Sequence, residues 1–189
     1  MAKNYPTLRL ASASHTRAKL LDDAHIPYIQ ESVEFDEEQI IATSPKNFVY
    51  QATMGKYKAN IEAFGYEEYP LLVADTVVTS QGQILRKARC VDDARNILMT
   101  QSGSVTSIIT CMVYHAQAQK IIDISQTDYL FEVFDMDALE AYLHSGLWRG
   151  KAGACMVEGF CKPYIKEVRG FESTAMGLNT NLLQRFIQI

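Results

Sequence analysis

The hydrophobic positions of the chain form short dense runs that alternate with stretches of helical spacing, and this alternation predicts a mixed α/β or α+β fold. Serines mark two helix starts, because Ser14 can act as an N-cap after the first strand and Ser44 precedes a proline at a first helical position. In chain order, the predicted elements are a strand at 8–11, a helix after Ser14, a helix at 45–64, a strand at 71–79, a short strand starting at 84–85, a helix from 92 or 93 to about 102, neighbouring antiparallel strands at 106–114 and 121–134, a helix at 137–144, a strand at 164–168 and a helix at 179–187.

The connection between the first strand and the first helix has the composition of an anion site. It reads Ser12-Ala13-Ser14-His15-Thr16-Arg17, so two hydroxyls, the unpaired N–H groups and the positive end of the helix dipole meet at one place. Arg17 lies in the first helical turn, where the dipole disfavours a cation and where a bound anion would make an arginine useful. An ordinary capped helix with a solvated arginine is the alternative.

Asp75 interrupts the dense apolar run at 71–79. An ionised carboxylate in such a strand costs several kcal/mol unless it is paired, hydrogen-bonded or bound to a metal. Since Thr76, Val77 and Val78 continue the apolar run, we interpret Asp75 as a general base or metal ligand. The alternative is a strand-end aspartate that caps a turn.

An acidic loop, Asp36-Glu37-Glu38, supplies further carboxylates. Carboxylate oxygens are the ligands that Mg²⁺ prefers, and one or two suffice when phosphates and water supply the rest. A solvated surface loop is the alternative, and the metal hypothesis depends on Asp75 lying close by.

Phosphoryl chemistry also needs fixed positive groups around the transferred phosphorus. Lys56 and Lys58 lie on the second predicted helix, and Lys87 follows the short strand and precedes a loop. Most helix lysines are solvated, so Lys87 is the better placed of the three candidates.

Composition narrows the protein class. The chain has 189 residues, of which 48% are hydrophobic and 21% charged, as in a globular protein with a sizeable core. The net charge of -4 argues against binding to long nucleic acid. No apolar run is long enough to cross a membrane, and residues 1–10 have no apolar signal core, so we expect a cytoplasmic protein.

The cysteines do not have C-x-x-C spacing, which favours reduced thiols that act as small core hydrophobes. These residues are Cys90, Cys111, Cys155 and Cys161.

Taken together, the segments resemble the Maf family of nucleotide pyrophosphatases over essentially the whole chain. Each motif is unspecific alone, but their order and spacing support the resemblance. The motifs are Leu10-Ala11-Ser12-x-Ser14-x-x-Arg17-x-x-Leu20-Leu21, Ala74-Asp75-Thr76-Val77-Val78, Asp93-Ala94 to Ser102-Gly103 with Thr110, Lys151-Ala152-Gly153-Ala154, and Gly177-Leu178.

The resemblance implies a single domain over residues 1–189, with an elongated, two-lobed α/β fold like that of inosine triphosphate pyrophosphatases, a central mixed sheet and an active-site cleft between the lobes. It also implies a homodimer, a Mg²⁺ or Mn²⁺ cofactor, and water attack on the α-phosphorus of a standard or modified nucleoside triphosphate to give a nucleoside monophosphate and pyrophosphate.

By position, Asp75 resembles the catalytic base and a metal ligand. Glu37 resembles the metal-site glutamate, with Glu38 as the alternative because the loop register is open. The residues implied to bind substrate are Ser12, Ser14, Arg17, Lys56, Lys87 and Glu158.

The chain departs from the family pattern at several positions, and these departures leave the preferred base open. Thr16 replaces an arginine, Glu158 replaces a glutamine, and Ala88 and Asn179 each replace a proline. Ionised glutamate only accepts hydrogen bonds, whereas glutamine also donates, and a carboxylate near a triphosphate adds repulsion.

Two other functions remain open at this point. One is a nucleotide-binding regulator of cell division or septum formation with little catalysis, which Thr16 and Glu158 motivate. The other is a metal-dependent phosphatase that releases inorganic phosphate.

Overall fold

The computed structural model describes residues 4–37 and 40–187, and it confirms the predicted mixed α/β class. The strands are β1 (Leu8–Leu10), β2 (Tyr28–Gln30), β3 (Leu71–Ser80), β4 (Gln83–Leu85), β5 (Val105–Ala116), β6 (Gln119–Phe131) and β7 (Ile165–Arg169). The helices are α1 (His15–Asp23), α2 (Pro45–Phe64), α3 (Val91–Gln101), α4 (Met136–Ser145), α5 (Glu172–Ala175) and α6 (Thr180–Ile187), with a 3-10 turn at Lys162–Tyr164.

Within the described residues, seven strands form one mixed sheet in the order β2-β1-β3-β5-β6-β7, with β4 paired to β3. Strand β1 is parallel to both of its neighbours, with Leu10 opposite Gln30 on one side and Leu72 on the other. Strands β3 and β4 are antiparallel, as are β6 and β7. Strands β5 and β6 are neighbours joined by the turn at residues 117–118, a connection that only antiparallel strands can use, as predicted.

The chain divides into two compact units. The first comprises Met1–Thr76, Thr110–Ser125 and Phe171–Ile189, and the second comprises Val77–Ile109 and Gln126–Gly170. The predicted single domain with an active-site cleft stays a prediction.

In the first unit, successive residues of β3 pack on opposite faces of the sheet. Leu72 and Ala74 belong to a core cluster with residues of α1 and α6, such as Leu21 and Leu183. Leu71 and Val73 belong to a separate cluster with Tyr57 and other residues of α2. This alternation follows from the period of two in a strand, and it places α1 and α2 on opposite faces.

The serine caps are confirmed. Ser14 Oγ accepts a hydrogen bond from the Arg17 backbone N–H at 3.4 Å, and Ser44 Oγ accepts one from Asn47 at 3.2 Å. Helix α3 differs slightly from the prediction, because it begins at Val91 and its cap, Cys90, makes no side-chain hydrogen bond. Strand β2 and helix α5, of three and four residues, were not predicted because neither has a hydrophobic pattern of its own.

In the second unit, aromatic rings pack around α4. Tyr142 stacks on Phe160 with 4.5 Å between centroids, and Phe134 and Tyr164 extend this cluster. Trp148 is 1% exposed and donates its indole N–H to the Leu143 carbonyl at 2.9 Å, so it is a packing residue.

Across residues 4–37 and 40–187, no helix has the length and apolarity to cross a membrane.

Candidate active site

The connections that follow two adjacent parallel strands of the first unit, β1 and β2, lead to opposite faces of the sheet. After β1 the chain turns into α1 on one face, whereas after β2 it leads to α2 on the other face. In open α/β sheets, ligands bind where the connections after adjacent strands diverge in this way. The Ser12–Arg17 segment follows β1, and the acidic loop follows β2, so the fold places both candidate segments at this edge.

Arg17 is held by three acceptors of the first unit. Its Nε donates to the Gly177 carbonyl at 2.8 Å, Nη1 to Ser12 Oγ at 3.0 Å and Nη2 to Thr76 Oγ1 at 3.1 Å. The side chain therefore does not have the freely solvated position of the alternative interpretation. Burial lowers the pKa of the guanidinium below its usual value, while the negative charges of Asp75 and Glu37 act in the opposite direction.

A chain of hydrogen bonds between hydroxyl groups determines that the Thr76 hydroxyl accepts from Arg17. Thr110 Oγ1 donates its one proton to the Thr174 carbonyl at 2.8 Å, so Thr76 must be the donor in the 2.9 Å contact between the two threonine hydroxyls. The Thr76 oxygen is then left to accept from Arg17. Sequence reasoning did not identify this chain of hydrogen bonds, because its members come from β3, β5 and α5.

Gly177 also shapes the position of Arg17. Its φ is +107°, a conformation that residues with a side chain rarely adopt. A Cβ atom there would lie 3.2 Å from Arg17 Nε and 3.3 Å from Thr76 Oγ1. The glycine thus allows its own carbonyl to accept from Arg17 at close range.

Asp75 lies inside β3, which continues to Ser80, so it is not an aspartate at a strand end. It is 8% exposed, and its Oδ1 lies 2.7 Å from Lys56 Nζ on α2. The same ammonium lies 2.5 Å from Glu37 Oε1. Two carboxylates and one cation, separated along the chain, therefore meet at one place in the first unit. Lys58 is exposed and takes no part in this cluster.

Two residues of α2, Asn60 and Gly55, contact residues just before the acidic loop and hold it against the helix. Neither was identified from the sequence. Asn60 accepts from the Val33 backbone N–H at 2.8 Å and donates to the Val33 carbonyl at 3.2 Å. The Phe35 ring occupies the space beside Gly55, where an added Cβ would collide with the ring. These contacts bring Glu37 to Lys56. The sequence signal for this contact was Gly55 itself. A glycine inside a helix usually destabilises the helix, so its presence indicates that another group packs closely there.

The carboxylate pair fits a divalent cation. Glu37 and Asp75 direct oxygen atoms at one shared positive group, Lys56 Nζ, and hard oxygen donors suit Mg²⁺ and Mn²⁺. Over residues 4–37 and 40–187, no three His, Cys, Asp or Glu side chains form a metal-binding group. A cation held by these two carboxylates would need its remaining ligands from substrate and water. Glu38, the alternative ligand, lies outside the described residues.

The other two predicted substrate-binding residues belong to the second unit. Lys87 is exposed and forms an isolated antiparallel bridge with Ala152. Glu158 lies in the loop after that bridge, with its Oε1 4.0 Å from Lys151 Nζ. The remaining candidates, Ser12, Ser14, Arg17, Glu37, Lys56 and Asp75, all belong to the first unit.

Comparisons with known proteins place the chain in one family. The family model described as Maf-like protein matches residues 7–189. A protein of a Nitratiruptor species, named nucleoside triphosphate pyrophosphatase, is 53% identical over 178 residues, covering 93% of this chain and 96% of that protein. A Campylobacter jejuni protein of the same name is 33% identical over 182 residues, covering 95% of this chain and 100% of that protein.

A Helicobacter pylori protein, also named nucleoside triphosphate pyrophosphatase, is 36% identical over 172 residues and covers 91% of this chain and 90% of its own length. The family match spans nearly the whole chain, and these relatives are matched over at least nine-tenths of their length. The chain therefore belongs to the Maf-like protein family.

Proposed function

We propose that this chain is a nucleoside triphosphate pyrophosphatase, which hydrolyses a standard or modified nucleoside triphosphate to a nucleoside monophosphate and pyrophosphate. The observation that carries the proposal is the meeting of Asp75, Glu37 and Lys56 beside Arg17 at the divergent carboxyl ends of β1 and β2. The names of the three relatives support the same reaction.

In this proposal Asp75 is the general base that takes a proton from the attacking water. Lys56 engages one oxygen of the carboxylate, and an ionised carboxylate has about four acceptor positions, so capacity remains for water and a metal ion. The Lys56 ammonium, 2.7 Å from Asp75 Oδ1, orients the carboxylate in the site. No covalent intermediate is needed, because a positioned water and fixed charges suffice for phosphoryl hydrolysis.

Charge balance supports a divalent cofactor. The four charged residues of the cluster, Arg17, Lys56, Glu37 and Asp75, sum to zero. They supply no excess of positive charge against a triphosphate, although each cation can contact one phosphoryl group. We propose that Glu37 and Asp75 hold Mg²⁺ or Mn²⁺, which when bound would neutralise phosphate charge and polarise the phosphoryl oxygen.

The phosphates themselves are proposed to bind where α1 begins. The first N–H groups of the helix and the Ser12 and Ser14 hydroxyls lie there, and Arg17 is already oriented by its three acceptors. Such pre-organisation lowers the entropy that binding must offset. Lys87 and Glu158 as substrate contacts, the homodimer and the cytoplasmic location stay predictions.

A nucleotide panel tests the proposal. We expect the purified chain to release pyrophosphate and nucleoside monophosphate from at least one standard or modified triphosphate when Mg²⁺ or Mn²⁺ is present. Chelation by EDTA should stop the reaction, and re-addition of metal should restore it. Products are resolved by anion-exchange chromatography, and a coupled assay measures pyrophosphate.

Other outcomes of the panel would contradict the proposal. Inorganic phosphate with nucleoside diphosphate would indicate a phosphatase of different regiochemistry. Tight nucleotide binding with no product would favour the nucleotide-binding regulator. Undiminished turnover after chelation would remove the metal role of Glu37 and Asp75.

A further inference from the structure

Two thiols of the second unit lie in direct contact. The Sγ atoms of Cys155 and Cys161 are 3.1 Å apart, with the Cys155 thiol donating toward Cys161. Cys161 is buried, whereas Cys155 is half-buried, so one member of the pair is accessible to a small reagent. Neither thiol belongs to the carboxylate site, because both lie in the loop between α4 and β7.

The backbone holds the two cysteines together. The loop between them turns back on itself, since the Gly159 and Cys161 N–H groups both donate to the Met156 carbonyl, at 3.0 and 3.1 Å. The hydrogen-bonded turn therefore brings the backbone of Cys155 and that of Cys161 close together, which allows the two thiols to make contact.

One residue of α4 anchors both sides of this turn. The Tyr142 hydroxyl donates to the carbonyl of Ala154, the residue before Cys155, at 3.0 Å. The Tyr142 ring stacks at 4.5 Å and 6° on Phe160, the residue before Cys161. Because a buried side chain fixes both flanking residues, the sulfur atoms have little freedom to separate.

We propose that Cys155 and Cys161 form a redox-active dithiol, which hydrogen peroxide converts into an intramolecular disulfide. The Cys155 thiolate attacks one peroxide oxygen, the O–O bond breaks, and hydroxide leaves and is protonated to water, which gives a sulfenic acid. The Cys161 sulfur then attacks the Cys155 sulfur, the S–O bond breaks, and the hydroxyl leaves as water with the Cys161 proton. In sum, two thiols and one peroxide give one disulfide and two waters, with the sulfurs oxidised and the peroxide reduced.

The disulfide would close a ring around residues 156–160, which include Glu158. The inference goes beyond the proposed hydrolysis, because it concerns thiols outside the cluster of Asp75 and needs no nucleotide. It also revises the sequence-based view of these cysteines as plain core hydrophobes.

The reaction should be slow at neutral pH. The hydrogen bond to Cys161 and burial raise the pKa of the Cys155 thiol above the ordinary 9.0, Glu158 adds to this, and Lys151 opposes it. Tyr142 also faces the pair from α4, but burial raises its own pKa, so it stays neutral and adds no charge. Since the thiolate is the nucleophile, the rate of bridging should increase with pH up to and beyond 9.0.

The test uses the full chain in a Cys90→Ser background, which removes the exposed thiol that peroxide would otherwise oxidise. After peroxide treatment, free thiols are alkylated and the intact mass and the peptides are measured. We expect loss of two hydrogen masses, two fewer alkylated thiols, a cross-link that joins Cys155 to Cys161, and full reversal by dithiothreitol. Cys155→Ser and Cys161→Ser in the same background should each abolish the bridge.

The proposal is overturned if both thiols remain fully alkylated after peroxide treatment at pH 9, or if the cross-link maps to another pair. It is also overturned if Cys155→Ser still loses two hydrogen masses. The result in the Cys90→Ser protein does not depend on how either serine variant folds, and none of these measurements involves hydrolysis. A failure of the pyrophosphatase proposal would therefore leave this result unchanged.

Discussion

Asp75→Asn is expected to lower kcat for nucleotide hydrolysis by about 10²–10⁴-fold, the usual contribution of a positioned general base. Asparagine has nearly the same shape but cannot take the proton of the attacking water, and it is a poorer metal ligand than a carboxylate. The fold should persist, because Lys56 keeps its 2.5 Å contact with Glu37 and the amide oxygen can still accept from the ammonium. Steady-state kinetics and circular dichroism of the purified variant measure both effects.

Asp128→Asn is the matched control. Asp128 is another strand aspartate, half-buried where Asp75 is buried, and its Oδ1 accepts from Ser107 and Gln126 at 2.5 and 2.7 Å. It lies outside the carboxylate cluster, so its amide variant should retain kcat even if its melting temperature falls. Full activity in Asp75→Asn would show that the base is assigned to the wrong residue.

Gly177→Ala is expected to raise KM for the nucleotide about ten-fold or more, which is the loss of a charge-assisted contact of roughly 1.4 kcal/mol. The new Cβ would lie 3.2 Å from Arg17 Nε and 3.3 Å from Thr76 Oγ1, closer than ordinary van der Waals contact, so the guanidinium must shift by a few tenths of an ångström from its three acceptors. Backbone strain at φ +107° should also cost about 1–3 kcal/mol of unfolding free energy. Chemical denaturation and initial-rate kinetics separate the two effects.

Gly82→Ala separates backbone strain from displacement of Arg17. Gly82 has φ +77°, but an added Cβ there would meet nothing within 4 Å. This variant should lose stability by strain alone and keep its KM. Equal KM values for the wild type and Gly177→Ala would mean that the position of Arg17 does not matter for substrate binding.

Local signals in the sequence identified much of the fold. Serine at positions 14 and 44 marks helix starts because a side-chain cap needs only neighbouring residues. Asp75 was recognisable because it is a carboxylate within the apolar ten-residue run that forms β3, so the neighbouring residues alone reveal it. Strand β2 has only three residues and no apolar run of its own, so its formation depends on pairing with β1.

The arrangement of the site depends on contacts that no single segment encodes. Lys56 and Asp75 are 19 residues apart in the chain. No local sequence pattern indicates that Lys56, and not Lys58, contacts Asp75. Glu37 reaches Lys56 because Phe35 packs against Gly55, which is visible only when the loop lies on α2. The contact between Cys155 and Cys161 likewise follows from a turn and from Tyr142, and their spacing alone carried no signal.

Hydrolysis in water enriched in oxygen-18 shows whether water attacks the α-phosphorus and whether Asp75 acts as its base. We predict that the heavy oxygen appears in the nucleoside monophosphate, that pyrophosphate stays unlabelled, and that Asp75→Asn suppresses this labelled product. Heavy oxygen in pyrophosphate or in inorganic phosphate would exclude this mechanism, because water would then have attacked the β- or γ-phosphorus.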